Sequence, residues 1–577
     1  MPYILLDDVL QQEHSVEMVD LALLRSDARP YSLLIAQPTG TIEANDQFIR
    51  NQDRATAFAK HREFLNLAQR NAVELAVTPE YSCPWEVVRA ILAERCLPHP
   101  GNIWVLGCES ISPESLCALK SAYPEILWVH EPVHSSVTHT FLDPVCYILN
   151  ALDRNAQIVP LVVIQFKTQH MAEHEDNIER DHLIEGTTRY ILRNTRASVH
   201  LATLICSDTL NFNRHDLIDH DTAPYLIIHP QLVSKPYHTS FTQYRYDAFL
   251  AGGDNYEVLC VNWAKGFRIF GSNAQSPFGA SGLYTKSSQL DLQDTTIASN
   301  HRKGLYYSRW QSHVSHIYLF NYAETVFCLQ NTKPSQLGVE PVLRRRTGPS
   351  MLHIFTWDNE IHRWHEIEQI CDGFPGFCRQ LGQSISPLDS DIMNPVDKER
   401  LLCLSSGAIR KPHGNDWYAI TRLTCFAARE DQKIRRMTVV QDPDIAEFDD
   451  HFAERYRRLR GFAQLRNHIL TQPAMFPPCI EDLATDWRIA YPLTPNQYNT
   501  NLCSRDGNSV ATVAFLGDET PAKAQSCFDT MADFLGDAKQ RLVVWYRRND
   551  AIAAIHLQAP RFDADSTESR RSILREE

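Results

Sequence analysis

Hydrophobic and polar positions fall in blocks along the first 330 residues, and the period of the blocks switches between strand-like and helix-like. "YSLLIAQP" (31–38) is a short apolar run of β-prone residues. "NQDRATAFAKHREFLNLAQRNA" (51–72) spaces its apolar residues three and four apart, as one face of a helix requires, and "VELAVTP" (73–79) returns to strand. "NIWVLGCESI" (102–111) adds another strand, and "VCYILNALDRNAQIVPLVVIQFK" (145–167) reads as two β-rich runs joined by the turn "DRNAQ". "SVHLATLICSD" (198–208), "YLIIHPQ" (225–231) and "VLCVNWAKG" (258–266) continue the series. This alternation predicts an α/β domain with helices packed on sheets, in which sites collect at the carboxyl ends of strands.

Past residue 340 the pattern loosens. "LRRRTGPS" (343–350), "SISPLDSDIMNPVD" (384–397) and the proline-punctuated segment 471–501 read as loops or linkers. Between them lies an arginine-rich amphipathic helix candidate (447–470), whose arginines suit a solvated face better than a nucleic-acid surface. A strand, helix and strand follow at 509–517, 522–538 and 541–548. The expected division is therefore 1–340 for the α/β domain, 341–562 for a second, smaller α+β C-terminal domain, and 563–577 for a disordered tail.

Composition adds mainly exclusions. The chain has 577 residues, 44% hydrophobic and 22% charged, which is long enough for two cores. A net charge of −14 argues against wholesale nucleic-acid binding. The 15 cysteines show no paired CxxC spacing, so neither a disulfide framework nor a zinc ribbon is indicated. "MPYILLDDVLQQEH" turns acidic at once, and no apolar run reaches the ~18 residues of a membrane span, so a cytoplasmic protein with no membrane association is expected. Histidine and glutamate bunch in "QHMAEHE" and "EIHRWHE" without HExxH spacing, so no metal site is expected; no GxxxxGK[ST] loop supports an ATPase.

Three strand ends carry residues that suit one reaction. Glu80 follows "LAVTP", Lys167 follows "LVVIQF" and Cys206 follows "LATLI". A thiol becomes a strong nucleophile on losing its proton, a buried carboxylate can take that proton, and a lysine can stabilise the negative charge of a tetrahedral adduct. Glu80 is then the base, Lys167 the electrostatic partner and Cys206 the nucleophile.

The order Glu, Lys, Cys with the motifs "TPEY", "VCYILNALDRNAQIVPLVVIQFK" and "LICSD" resembles the nitrilase superfamily of carbon-nitrogen hydrolases. "PYLIIHPQLV", "GDNYEVLCVNWAKG" and "FGASGLYTKSSQLDL" extend the resemblance over roughly residues 30 to 330. It implies a nitrilase-like αββα sandwich, catalytic Glu80, Lys167 and Cys206, and hydrolysis of a small-molecule amide, less readily a nitrile, through a thioester without cofactor or metal. A second glutamate after the lysine is also implied, with Glu173 and Glu175 as candidates and Glu175 preferred; Ser207, Asp208 and Asn255 join it as substrate-positioning residues. The chain departs from the family pattern at Ser207, where an aromatic residue is usual, in "CSDTLNFNRHDL", which has no Phe-Pro turn, and at Asp254, where a glutamate is usual. Homo-oligomers are implied too; apart from the resemblance, the C-terminal domain is a candidate surface for a protein partner. That domain lacks an SGGxDS pyrophosphate loop, which sets the chain apart from the glutamine-dependent NAD synthetase arrangement. A second reading is a nitrilase-fold interaction or regulatory module in a bacterial multi-protein system, such as phage defence, with little hydrolase activity.

Overall fold

The computed structural model describes residues 3–27, 29–133, 139–171, 177–195, 198–234, 239–250, 256–270, 281–286, 294–309, 315–334, 348–370, 401–402, 404–407, 459–489 and 500–558. These fall into two compact units, the first ending within 371–377 and the second built from the rest, apart from short stretches outside the described residues.

The first unit is mixed α/β with two large sheets. The ten-stranded sheet has at its centre Tyr31–Gln37, Leu75–Val77 and Ile103–Gly107, all parallel, followed by the antiparallel hairpin Pro144–Leu152 and Ile158–Phe166. The eight-stranded sheet has a parallel centre of its own, His200–Thr203, Tyr225–Pro230 and Tyr256–Val261. These central strands are buried along their whole length apart from Ser32, which is why they read as continuous apolar runs with little alternation.

Helices close one face of the ten-stranded sheet. Arg54–Arg70 starts where the Asp53 side chain accepts the Thr56 N–H at 3.0 Å, and it turns Ala57, His61, Phe64, Leu65 and Ala68 inward at helical spacing. Trp85–Ala93 adds Val88, Ile91 and Leu92, and Pro113–Ala122 adds Leu116 and Leu119. Each of the large side chains buried in this core is worth about 1.5–3 kcal/mol.

The first unit runs past residue 340, the boundary expected from the sequence. Ser350–Asp358 and Arg363–Ile367 extend the ten-stranded sheet by pairing outward from Thr325–Asn331. Trp364 fixes them to the first helix by donating its indole N–H to the Lys60 carbonyl at 2.9 Å.

The second unit holds a five-stranded sheet. The expected strand, helix and strand are Val510–Asp518, Pro521–Leu535 and Leu542–Arg548, with the two strands parallel. Arg488–Ile489, Leu502–Cys503 and Ala551–His556 complete the sheet and were not anticipated. Of the arginine-rich helix candidate, 447–458 lies outside the described residues, as does the tail 563–577; in the rest Leu459 and Phe462 are buried and Arg460 is exposed. Among the described residues no helix is long and apolar enough to cross a membrane.

Candidate active site

Glu80, Lys167 and Cys206 come together. Each follows the carboxyl end of a strand, Glu80 and Lys167 on the ten-stranded sheet and Cys206 on the eight-stranded one. All three are buried, with exposures of 1%, 1% and 2%.

The Glu80 turn is fixed by backbone contact. Gly107 on the neighbouring strand lies so close that a Cβ there would stand 2.1 Å from the Pro79 carbonyl oxygen, so this packing requires glycine. Ser82 donates its hydroxyl to the Pro79 carbonyl at 2.7 Å and its N–H to the Gly107 carbonyl at 2.9 Å. Trp263 donates its indole N–H to the Glu80 carbonyl at 2.9 Å, and Tyr81 takes a left-handed φ of 56°.

Lys167 is held on both sides of its peptide: its N–H donates to the Asp143 carbonyl and its own carbonyl accepts the Gly186 N–H, each at 2.8 Å. Its ammonium donates to Glu80 Oε1 at 2.8 Å and to the two oxygens of Glu179 at 2.7 and 2.8 Å, with Asp143 Oδ2 at 3.6 Å. Tyr81 adds its hydroxyl to Glu179 Oε1 at 2.9 Å, and the Met171 N–H reaches Oε2 at 2.9 Å.

Cys206 opens a 3-10 turn with φ 40°, a left-handed conformation that is strained for a side-chain-bearing residue. Its carbonyl accepts the Thr209 hydroxyl at 3.0 Å and pairs with His229 Nε2 at 2.9 Å. Burial, then the Arg245 charge, pushes His229 down to about 3, so its ring is neutral, with Nε2 as donor to Cys206 and Nδ1 facing Gln231 at 2.9 Å.

Ser207 and Asp208, expected to position substrate, spend their side chains on the scaffold. Ser207 donates to the Gln169 carbonyl at 2.6 Å. Asp208 accepts the Ile205 N–H at 3.1 Å, the Thr168 N–H at 2.8 Å and the Thr168 hydroxyl at 2.7 Å, strapping the lysine loop to the cysteine turn; Arg189 stands 3.7 Å away. Glu173, Glu175 and Asn255 lie outside the described residues. The glutamate that meets Lys167 is Glu179, twelve positions beyond it on the short helix Ile178–His182.

Three residues of this cluster escaped the sequence reading: Glu179, Asp143 and His229. Asp143 had a usable signal. Pro144 pairs with Phe166 across the hairpin, so the residue before Pro144 must face the residue after Phe166, which is Lys167. Glu179 was hidden because Glu173, Glu175 and Glu179 all precede the same glycine turn.

Electrostatics fix the resting protonation. Burial raises Glu80, partly offset by Lys167 and reinforced by Glu179. Burial works against the Lys167 ammonium, but Glu179 and Glu80 outweigh it and hold the lysine well above its usual range. Burial and then Glu80 push the Cys206 thiol well up, against Lys167 and a Leu232 N–H, so the sulfur rests as a thiol and needs a base at the moment of attack. Glu80, Asp143 and Glu179 have the donor set of a cation site, yet the cation they surround is the Lys167 ammonium. A cavity of about 540 Å³ lined by Asp7, Asp8, Arg193, His200 and Asp219 lies at the opposite, amino ends of the eight-stranded sheet's parallel strands and includes none of these residues.

No protein-family model matches the sequence, and no curated protein matches it. Solved structures similar to it include the glutamine-dependent NAD+ synthetase of Acinetobacter baumannii, at 11% identity and a TM-score of 0.28 over 59% of this chain. That of Cytophaga hutchinsonii gives 12% and 0.26 over 44%. A CN-hydrolase superfamily protein is among them. It comes from Xanthomonas campestris, at 10% identity and a TM-score of 0.26 over 44% of this chain and 82% of its own. The chain spans 48% and 39% of the two synthetases. Likenesses of this size carry no argument about the site, which stands on its own geometry.

Proposed function

We propose that the first unit is a nitrilase-superfamily hydrolase of αββα architecture that cleaves a non-peptide amide through a Cys206 acyl-enzyme. The observation that carries this reading is the placement of the Lys167 ammonium between Glu80 at 2.8 Å and Glu179 at 2.7 Å, in a buried cluster whose electrostatics couple it to the strained Cys206 turn.

The chemistry follows from the charges. As Cys206 Sγ attacks the amide carbon, its proton passes to the Glu80 carboxylate, whose affinity for a proton burial has raised. The new oxyanion is stabilised by the Lys167 ammonium and the Ser207 N–H. Glu80 returns the proton to the departing amine or ammonia, leaving a thioester. Glu80 then takes a proton from water, the hydroxide displaces sulfur from the acyl carbon, and the thiol is restored. Glu179 and Tyr81 keep the lysine charged and aimed, so Glu179 takes the role expected of Glu175. Association into homo-oligomers belongs to the same reading and rests on the family resemblance.

The test is intact-protein mass of wild type and Cys206→Ala after exposure to iodoacetamide and to a panel of amides and nitriles under acid quench. An acyl adduct in the wild type that is absent from the variant supports the reading, and its mass identifies the acyl group. If Cys206 reacts no faster than the other cysteines and no adduct forms, the chain is better read as a nitrilase-fold interaction module.

A further inference from the structure

Asp143 is the one member of the charge cluster that the hydrolytic scheme leaves without a task. The hairpin register sets it opposite Lys167, and its carboxyl is 1% exposed. Neither of its oxygens accepts a hydrogen bond from any N–H or O–H among the described residues. Lys167 Nζ stays 3.6 Å away because its hydrogens are directed to Glu80 Oε1 and to Glu179. Glu80 Oε2 is in the same condition, buried and without a donor. The two carboxyls are each other's hydrogen-bond neighbours.

Two carboxylates in contact are two acceptors with nothing to share. Ionised together, Glu80, Asp143 and Glu179 would also set three negative charges against one ammonium in a site where only Glu179 is partly exposed. One proton eases both difficulties: it joins one Asp143 oxygen to Glu80 Oε2 in a hydrogen bond and brings the buried charge closer to balance.

We infer that Asp143 is a carboxylic acid in the resting protein and donates its proton to Glu80 Oε2, acting as a positioning residue for Glu80 and not as a further negative charge. Burial and the neighbouring Glu80 both favour the neutral acid at Asp143. Glu80 is the better candidate for the ionised partner because its other oxygen already accepts from the ammonium. The remaining titratable groups of the cluster are Tyr81 on the Glu80 turn, Lys167, Glu179 on its short helix, and Cys206. Donation by Asp143 favours the charged form of Glu80, so the base is available at a lower pH than a buried glutamate beside Glu179 would otherwise allow. This last consequence rests on the proposed role of Glu80 as base; the protonation of Asp143 does not.

Infrared spectroscopy of the full chain tests the proton directly. At neutral pH the wild type should show a free-acid carbonyl stretch that shifts in deuterium oxide, and Asp143→Asn should lose it. A wild type without the band, or a band that survives unchanged in Asp143→Asn, overturns the inference. The second measurement is the pH dependence of Cys206 alkylation by iodoacetamide. Asp143→Asn keeps an N–H donor and should leave the acid limb in place, whereas Asp143→Leu removes the donor and should move the limb to higher pH. Equal displacement in the two variants would count against the hydrogen bond, and so would a change of amplitude without displacement, which is what a purely structural residue gives. A wild-type Cys206 that does not react at all sinks the hydrolase reading, and the infrared result then decides the state of Asp143 alone.

Discussion

Two parallel strand ends, one in each unit, carry a carboxylate in the same topological position and differ in almost everything else. After Leu75–Val77 the chain buries Glu80 to 1% exposure beside a lysine and two further carboxyls. After the core of Val510–Asp518 it presents Asp518 with its side chain 81% exposed, and Arg547 3.8 Å away. The glycines beside them differ in the same way. Gly107 is pressed against the Pro79 carbonyl, while Gly517 has nothing within 4 Å of where a Cβ would lie. A strand end is thus only a place where a loop can hold a side chain; chemistry needs a charge that has lost its water and is held by atoms that cannot move away.

The contrast can be broken at its centre first. Cys206→Ala should abolish acyl-adduct formation and lower any amide hydrolysis by on the order of 10⁴-fold or more, measured as kcat/KM. Gly107→Ala should come next. A methyl group 2.1 Å from the Pro79 oxygen forces the Glu80 turn to shift, at a cost of roughly 3 kcal/mol in denaturant unfolding and with a loss of Cys206 reactivity. If the melting curve is unchanged, the rigidity attributed to this turn is wrong.

Acid should separate the two units as well. Burial pushes His61 down to about 4, and burial with the Arg193 charge does the same to His200. Both stay neutral in the folded first unit but bind protons once unfolded. Their contribution is complete above about pH 6.5 and is lost as the pH falls from there towards 4. Replacing His61 by Gln should flatten that part of the pH–stability curve by on the order of 3 kcal/mol. Among its described residues the second unit buries no histidine. At that unit's strand end, Gly517→Ala should cost only about 1 kcal/mol, through its φ of 80°. Asp518→Asn should fall within about 0.5 kcal/mol of wild type and leave Cys206 alkylation untouched.

The sequence displays best what repeats at short range. The central strands and the first helix lie within a few residues of their expected bounds because apolar runs and helical spacing are local signals. Ser350–Asp358 and Arg363–Ile367 were misassigned because their membership of the first unit depends on partners far away in the chain, Thr325–Asn331 and the helix that holds Lys60. Glu80, Lys167 and Cys206 could be picked out because each follows an apolar run. Glu179 could not: only Glu173 and Glu175 were weighed, and naming the right glutamate after the lysine requires knowing which one reaches the ammonium. Ser207 and Asp208 show the converse: polar residues next to a nucleophile look functional in sequence, and here they bind backbone.

Asp208 joins Thr168, beyond a strand of one large sheet, to Ile205, beyond a strand of the other. The bonds to Thr168 span roughly forty positions of chain and form only once both sheets have docked, whereas the bond to Ile205 is local. Cys206 therefore meets Glu80 and Lys167 only when the two sheets meet. A chain stalled with one sheet formed would carry a bare thiol and a lysine among carboxylates, harmless separately. The reactivity of Cys206 is in this sense a clock for assembly: during refolding it should change in step with the docking of the two sheets.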